Sequence, residues 1–334
     1  MNKLRDYILA TKGKTLLLSL DLDNTLVNRD LGSNWVFPKT LELLKKLLDQ
    51  ENFKPIINTG RELIGYNSFC NQAVNINNAI LGSGSITLVN GKANFNREGE
   101  IEAGLVQIFL EAVRSGKLAF VDFSHYNGRS LFFNKKLVGE HQLQSLFYSQ
   151  NPRDWFGSQL PPVTEISTQK DAPKMIFRIE FPIPVKQTEL FKKLGAKDSG
   201  AINDLAKLIG SFEKDNYLLK RKAFFNDDFK GEFHFGRLER SSKFINKGIG
   251  LVKWLDQSRL KISDVSIVHI GDRDSGIIDD TLVKRHITNA FMVIVGDKSK
   301  ADNPHVDLYL KDNVDEAVFG VLELVHRILK ADYA

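Results

Sequence analysis

Short apolar runs and stretches of helical period alternate along the first hundred residues. Thr15–Leu20 (TLLLSL) is nearly all apolar, follows Gly13 and is too short for a helix, so it predicts a buried strand. Leu41, Leu43, Leu44, Leu47 and Leu48 keep a helical period behind Pro38, a residue suited to the first helical position. Pro55–Asn58 predicts a second strand that runs into a turn and another helix. The segment NNAILGSGSITLVNGK predicts a strand, a Gly/Ser turn and a further strand ending at Asn90-Gly91, a strong hairpin signal. Strand–helix–strand order at this spacing argues for a parallel sheet.

The last hundred residues return to that rhythm. Helix NKGIGLVKWLDQS precedes strand Val265–Ile270, then strands AFMVIV and VDLYL, then a closing helix VDEAVFGVLELVHRILK. The middle differs. It mixes helices such as EAGLVQIFLEAVRSG, long loops such as SQNPRDWFGSQLPPVTEISTQKDAP and alternating strands such as KMIFRIEF. In that strand Met175, Phe177, Ile179 and Phe181 fall on one face, and Arg178, with nearby Lys174, reads as part of a solvated face. The expected fold is therefore α/β: a parallel-sheet core of residues 1–94 and 231–334, interrupted by an α+β domain at 95–230.

Composition narrows the function. At 334 residues, 42% hydrophobic and 26% charged, the chain has material for a large core. A net charge of +5 suits an anionic substrate, but no basic run with interleaved aromatics points to nucleic acid. The single cysteine, Cys70, forbids an internal disulfide and reads as a structural thiol, in keeping with a reducing compartment. No secretory signal is visible and no stretch approaches the roughly 20 apolar residues of a membrane span, so a soluble, cytoplasmic protein is expected, with no membrane partner. Oligomeric state is not legible.

Chemistry enters at LSLDLDNTLV. Asp21 and Asp23 end a buried strand one residue apart, where each resists ionising unless a cation sits with them. Two other signals dissolve. Gly-Lys-Thr at 13–15 precedes a strand instead of following one, so it is no phosphate loop, and Gly82-Ser83-Gly84 has no third glycine for a dinucleotide fingerprint. The histidines show no metal-ligand spacing, and His269, at the end of a buried strand, reads as a satisfied core residue. What remains is a set of polar loops: Asp21, Asp23 and Thr25; Thr59, Gly60 and Arg61; Lys247-Gly248 at a helix start; and Gly-Asp-Arg-Asp-Ser-Gly, with Asp272 and Asp274, after Val265–Ile270. The carboxyl ends of parallel strands share one edge, where ligands bind.

These motifs, in this order, resemble the haloacid dehalogenase superfamily of phosphohydrolases, and the layout is similar to the Cof-type sugar phosphatases. The resemblance implies a Rossmann-like core with an inserted α+β cap and a Mg²⁺-dependent phosphatase acting on a small phosphorylated metabolite, such as a sugar phosphate. By that resemblance Asp21 is the nucleophile and Asp23 the general acid and base. The resemblance implies Mg²⁺ held by Asp21 and Asp272 with the Asp23 carbonyl, while Asp274, or Ser275 through water, is the candidate for the second acidic ligand. Thr59 and Lys247 bind the phosphate, Thr25 shapes the turn and Arg61 touches substrate. The fourth motif departs from the family's Gly-Asp-x-x-Asn-Asp: Ser275 and Gly276 stand at its last two positions, and Asp279 and Asp280 appear too far along the chain to replace them. A phosphomutase of the same superfamily, or a non-catalytic phosphosugar-binding protein, remains an alternative reading.

Overall fold

The computed structural model describes residues 1–28, 34–126, 128–140, 143, 163–166, 173–183, 216–226, 231–273, 280–296, 303–310 and 313–331. Their contacts divide the chain into two units. The first comprises 1–61, 65–96 and 245–334, and the second 62–64 and 97–244.

The first unit holds an eight-stranded sheet. Its strands are β1 (Thr15–Leu20), β2 (Phe53–Asn58), β3 (Ala79–Leu81), β4 (Ile86–Val89), β5 (Lys92–Phe95), β12 (Val265–Gly271), β13 (Phe291–Val295) and β14 (Leu308–Leu310). Their order is β14-β13-β12-β1-β2-β3-β4-β5. The six strands from β14 to β3 run parallel, and β4 and β5 add an antiparallel edge through the Asn90-Gly91 turn. β1 is central and buried from Leu16 to Leu20, as a strand covered on both faces must be. Register sets Leu20 beside Ile270 of β12 and Ile57 of β2, so the three strands end level.

Helices α1 (Asn2–Ala10), α2 (Pro38–Leu48) and α3 (Leu63–Gln72) come early in the chain, and α5 (Lys247–Gln257), α6 (Leu282–His286) and α7 (Val314–Ala331) late. α2 buries Thr40, Leu43, Leu44 and Leu47, the expected stripe. α5 lays Leu251, Trp254 and Leu255 against Leu17, Ile56, Ile80, Ile267 and Met292 of the sheet. α1 was not legible as a helix. It is secured by buried Leu4 and Ile8 and by Tyr7, whose hydroxyl accepts from Ile267 N at 3.1 Å and donates to Asn289 O at 2.9 Å. No described helix is long and apolar enough to cross a membrane.

The second unit holds a six-stranded sheet in the order β10-β11-β9-β6-β7-β8. These are β6 (Phe120–His125), β7 (Gly128–Phe133), β8 (Val163–Glu165), β9 (Ile176–Ile183), β10 (Tyr217–Asn226) and β11 (Gly231–Arg240), with helix α4 (Ala103–Arg114). α4 packs Leu105, Val106, Phe109 and Val113 with Phe123, Ile179, Phe181 and Leu238. Two expectations need correction. Residues 231–240 do not belong to the core, because β11 pairs with β9 and β10, and the chain rejoins the first unit at Ile245. Alternation identifies a strand but not the sheet it joins. Nor is Arg178 solvated. It is 5% exposed and ion-paired to Glu62 at 2.9 Å and Glu239 at 2.6 Å, beside a second buried arginine, Arg129, that binds Asp122 and Glu180. Charged residues alternate along β9 whether water or partners satisfy them, so periodicity does not tell the two apart.

Candidate active site

The polar loops meet at the carboxyl edge of the first sheet. Asp21 follows β1. Its backbone N–H donates to Ile270 O at 2.9 Å, and its Oδ1 accepts from Leu22 N at 2.8 Å. A tight turn follows, with Val27 N donating to Leu22 O at 2.7 Å and Asn24 in the left-handed region at φ 57°. Asn and Asp tolerate that conformation, which explains NT after the acids. Thr25 lies inside the turn, 1% exposed, with its Oγ1 lacking a partner among the described residues.

Lys247 opens α5, capped by Asn246 Oδ1, which accepts from Ile249 N at 2.9 Å. The lysine is 2% exposed and its Nζ lies between two carboxylates, 2.9 Å from Asp21 Oδ2 and 2.5 Å from Asp280 Oδ1. Gly248 lets the helix start approach, since a Cβ there would stand 2.2 Å from Leu282 O.

Asp280 is the residue that sequence reasoning set aside. The chain doubles back after β12: Asp280 N donates to Arg273 O at 3.0 Å, and Arg273 N donates to Asp280 Oδ2 at 3.1 Å. Asp280 therefore precedes α6 and packs over Gly271, where any Cβ would fall 2.2 Å from its carboxyl carbon. Asp272, 7% exposed, accepts from Asn24 Nδ2 at 3.3 Å. Carboxylate oxygens of Asp21, Asp272 and Asp280 lie within 4.8 Å of one another. Asp274, with Ser275 and Gly276, lies outside the described residues. The signal available for Asp280 was the Asp279-Asp280 pair close to a motif short of an acid.

Thr59 follows β2 and is fully buried. Its N–H donates to Ile80 O at 2.9 Å, and its Oγ1 accepts from Arg61 N at 3.2 Å. Nearby, Ser83 has its Oγ buried without a partner among the described residues and a left-handed φ of 54°. Arg61 turns to Asp23: Nη2 and Nε donate to Oδ1 at 2.5 and 3.0 Å, and Nη1 donates to Asn34 Oδ1 at 2.6 Å. Asn34 was not anticipated.

The electrostatics follow from burial. Desolvation pushes the Asp21 carboxyl up, against the pull of Lys247, and the charges of Asp280, Asp272 and Asp23 push the same way. Asp272 is raised by burial and by Asp280. Burial also acts on Asp280, but Lys247 and His269 outweigh it and hold its carboxyl well below the usual range. Burial would strip Lys247 of its proton, yet Asp21 and Asp280 hold it well above the ordinary lysine range. Lys247 and Asp280 thus form the settled pair. Asp21 shares the same ammonium with fewer donors of its own, and is the strained member. When ionised, the three carboxylates outnumber the Lys247 ammonium and the half-exposed Arg273, 3.8 Å from Asp272, which leaves an excess of negative charge in a buried site. Hard oxygen donors carrying that excess fit a divalent cation of the hard kind.

The haloacid dehalogenase-like hydrolase profile matches residues 18–277. The chain belongs to this family. Haloacid dehalogenase-like proteins also share its fold among solved structures. A subclass IIB sugar phosphatase is 14% identical over 94% of this chain and all of its own, with a TM-score of 0.57. A protein from Plasmodium vivax described as a haloacid dehalogenase/Cof-like hydrolase is 14% identical, covering 96% of this chain and 99% of its own, with a TM-score of 0.60. A haloacid dehalogenase-like hydrolase from B. subtilis is 14% identical over 92% and 98%, with a TM-score of 0.55. Comparison with curated proteins finds no match.

Proposed function

We propose that this protein is a Mg²⁺-dependent phosphatase that hydrolyses a small phosphorylated metabolite, a sugar phosphate, in the cytoplasm. The observation that carries the reading is the meeting of Asp21, Asp272 and Asp280 within 4.8 Å, with Lys247 fixed between two of them. The sugar phosphatase that shares the fold supports the substrate class.

Asp21 attacks phosphorus, forming an Asp21–phosphorus bond as the bond to the leaving oxygen breaks. Asp23 gives that oxygen its proton. Water then attacks phosphorus, Asp23 takes its proton, and the Asp21–phosphorus bond breaks to release inorganic phosphate. Asp21 and Asp272, with Asp280 beside them, would hold Mg²⁺, which when bound would supply positive charge between an anionic nucleophile and an anionic phosphate. Lys247 adds a fixed ammonium at the same place. Thr59 Oγ1 accepts a backbone N–H, which leaves its own O–H to donate to a phosphate oxygen. Thr25 Oγ1, which has no partner among the described residues, is a second donor for the same charge. We assign Arg61 to holding Asp23, since that is where its fork lies. We assign the first unit to catalysis and the inserted unit to selecting the leaving group.

The altered fourth motif motivates the alternative of a non-catalytic binding protein, and the third carboxylate that Asp280 contributes supports the catalytic reading. The test is phosphate release from a panel of phosphorylated metabolites, with and without Mg²⁺, beside Asp21→Asn. Release that needs both Mg²⁺ and Asp21 is the expected result. Conversion to an isomeric sugar phosphate without free phosphate would mean a mutase, and no turnover of any compound would overturn the reading.

A further inference from the structure

A row of polar side chains runs beneath the carboxylates, at strand positions flanked by buried apolar residues. Ser19 of β1 and His269 of β12 are register partners, and Asn58 ends the neighbouring β2. All three are fully buried, between neighbours such as Leu18, Leu20, Val268 and Ile270 that are equally buried and apolar. An apolar residue at 269 would be the simpler solution, because a buried imidazole costs stability unless both nitrogens are bonded.

Both are bonded. His269 Nε2 lies 3.0 Å from Asp280 Oδ1, and Nδ1 lies 2.8 Å from Ser19 Oγ. Asp280 Oδ1 lies 2.5 Å from the Lys247 ammonium and serves as an acceptor, so Nε2 carries the hydrogen toward it. The other ring nitrogen, Nδ1, then accepts from the Ser19 hydroxyl. Ser19 Oγ in turn accepts from Asn58 Nδ2 at 3.4 Å, and the same amide reaches Lys247 O at 3.3 Å. The row is thus anchored at both ends on Lys247: on its carbonyl through Asn58, and on its ammonium through Asp280.

We propose that His269 is a positioning residue whose Nε2–H, on a ring anchored at Nδ1 by Ser19, holds Asp280 in place against Lys247 and the metal-binding carboxylates. It touches neither substrate nor phosphate. The inference rests on the phosphatase reading for its kinetic readout and only on the carboxylate cluster for its binding readout.

The test compares the full chain with His269→Phe, His269→Gln and Ser19→Ala. Glutamine places a donor nitrogen near the position of Nε2, whereas phenylalanine fills the space without one. Binding of Mg²⁺ alone is measured by calorimetry, and kcat and KM by phosphate release. His269→Phe is expected to weaken Mg²⁺ binding and to lower kcat by about 10-fold or more, with KM nearly constant. His269→Gln should recover most of both, and Ser19→Ala should fall between. A merely structural histidine would lower Tm without this split and without rescue by glutamine. Should His269→Phe not fold, the glutamine and Ser19 variants decide: both must keep Mg²⁺ affinity above a tenth of the wild-type value and lose less in KM than in kcat. Wild-type Mg²⁺ affinity and kcat in His269→Phe would overturn the proposal, as would equal loss in the phenylalanine and glutamine variants. If the wild type binds Mg²⁺ but turns over nothing, the phosphatase reading fails and Mg²⁺ affinity alone judges His269. If it does neither, both fall.

Discussion

Arg61 grips Asp23 through two nitrogens, Nη2 at 2.5 Å and Nε at 3.0 Å from Oδ1, while its third nitrogen holds Asn34. The guanidinium plane therefore fixes where the Asp23 carboxyl points. A lysine keeps the charge but not the fork. Arg61→Lys is expected to lower kcat by about 10-fold with a smaller change in KM, because a misaligned acid slows proton transfer without weakening substrate binding. Steady-state phosphate release checks this. A rise in KM at constant kcat would place Arg61 on the substrate instead.

Asp280 and Asp274 can be separated by their Mg²⁺ affinities. Asp280→Asn removes a charge from the buried cluster and loosens Lys247, so Mg²⁺ binding should weaken by about 10- to 100-fold. Asp272→Ala should abolish both Mg²⁺ dependence and activity. Asp274→Ala should be milder than either. Calorimetric titration of the three variants ranks them, and a larger loss in Asp274→Ala than in Asp280→Asn would reverse the assignment.

Acid stability carries the signature of the buried histidine. Burial holds His269 below its ordinary range, whereas an unfolded histidine titrates near pH 6.5. Its contribution is complete above that value and is lost as pH falls, because the unfolded chain takes up a proton that the folded chain refuses. The raised carboxyls of Asp21 and Asp122 act in the opposite sense, so the difference between wild type and His269→Gln isolates the effect. Between about pH 6.5 and pH 5 the variant should lose less stability, by at most about 1.4 kcal/mol per pH unit. Urea unfolding at several pH values measures it, and parallel curves would refute it.

The inserted unit has its own charged interior. Arg129, 5% exposed, binds Asp122 and Glu180 and lies 3.8 Å from Glu62. Arg129→Met leaves those acids without their shared cation and should cost about 3–5 kcal/mol near neutral pH. Burial already pushes Asp122 up to about 6 against the pull of Arg129. Without the arginine the acids protonate more readily, so the cost should shrink as pH falls. Denaturation midpoints near pH 8 and pH 5 test the sign.

The strands and helices of the first unit were legible because apolar runs and helical stripes have few alternatives: β1, α2, the Asn90-Gly91 hairpin and the late strands all form where patterning puts them. Asp21, Lys247 and Asp272 were legible for another reason. Charge at the end of a buried strand or at a helix start is costly without a task. Asp280 was not legible, because its place depends on a chain reversal through Arg273 that no local pattern encodes. The same holds for Arg178, Arg129 and the Asn58–Ser19 pair, whereas His269 was legible as a satisfied core residue though its partners were not. Each is polar by sequence and buried by tertiary pairing, and only the partner strand shows that the pairing exists.

Glu62 sits next to Arg61 in sequence, yet by its contacts it belongs to the second unit, where it accepts from Arg178 and from Ser124 Oγ at 3.0 Å. The inserted domain is therefore not one contiguous module. A fragment cut at 97 and 244 would leave Arg178 short of one of its carboxylates. Any exchange of such domains between relatives, in the laboratory or over evolution, would have to carry a single glutamate from the far side of the splice. Glu62 belongs to the second unit and follows Arg61 directly in sequence, so that unit's sequence cannot drift independently of the segment that bears Thr59.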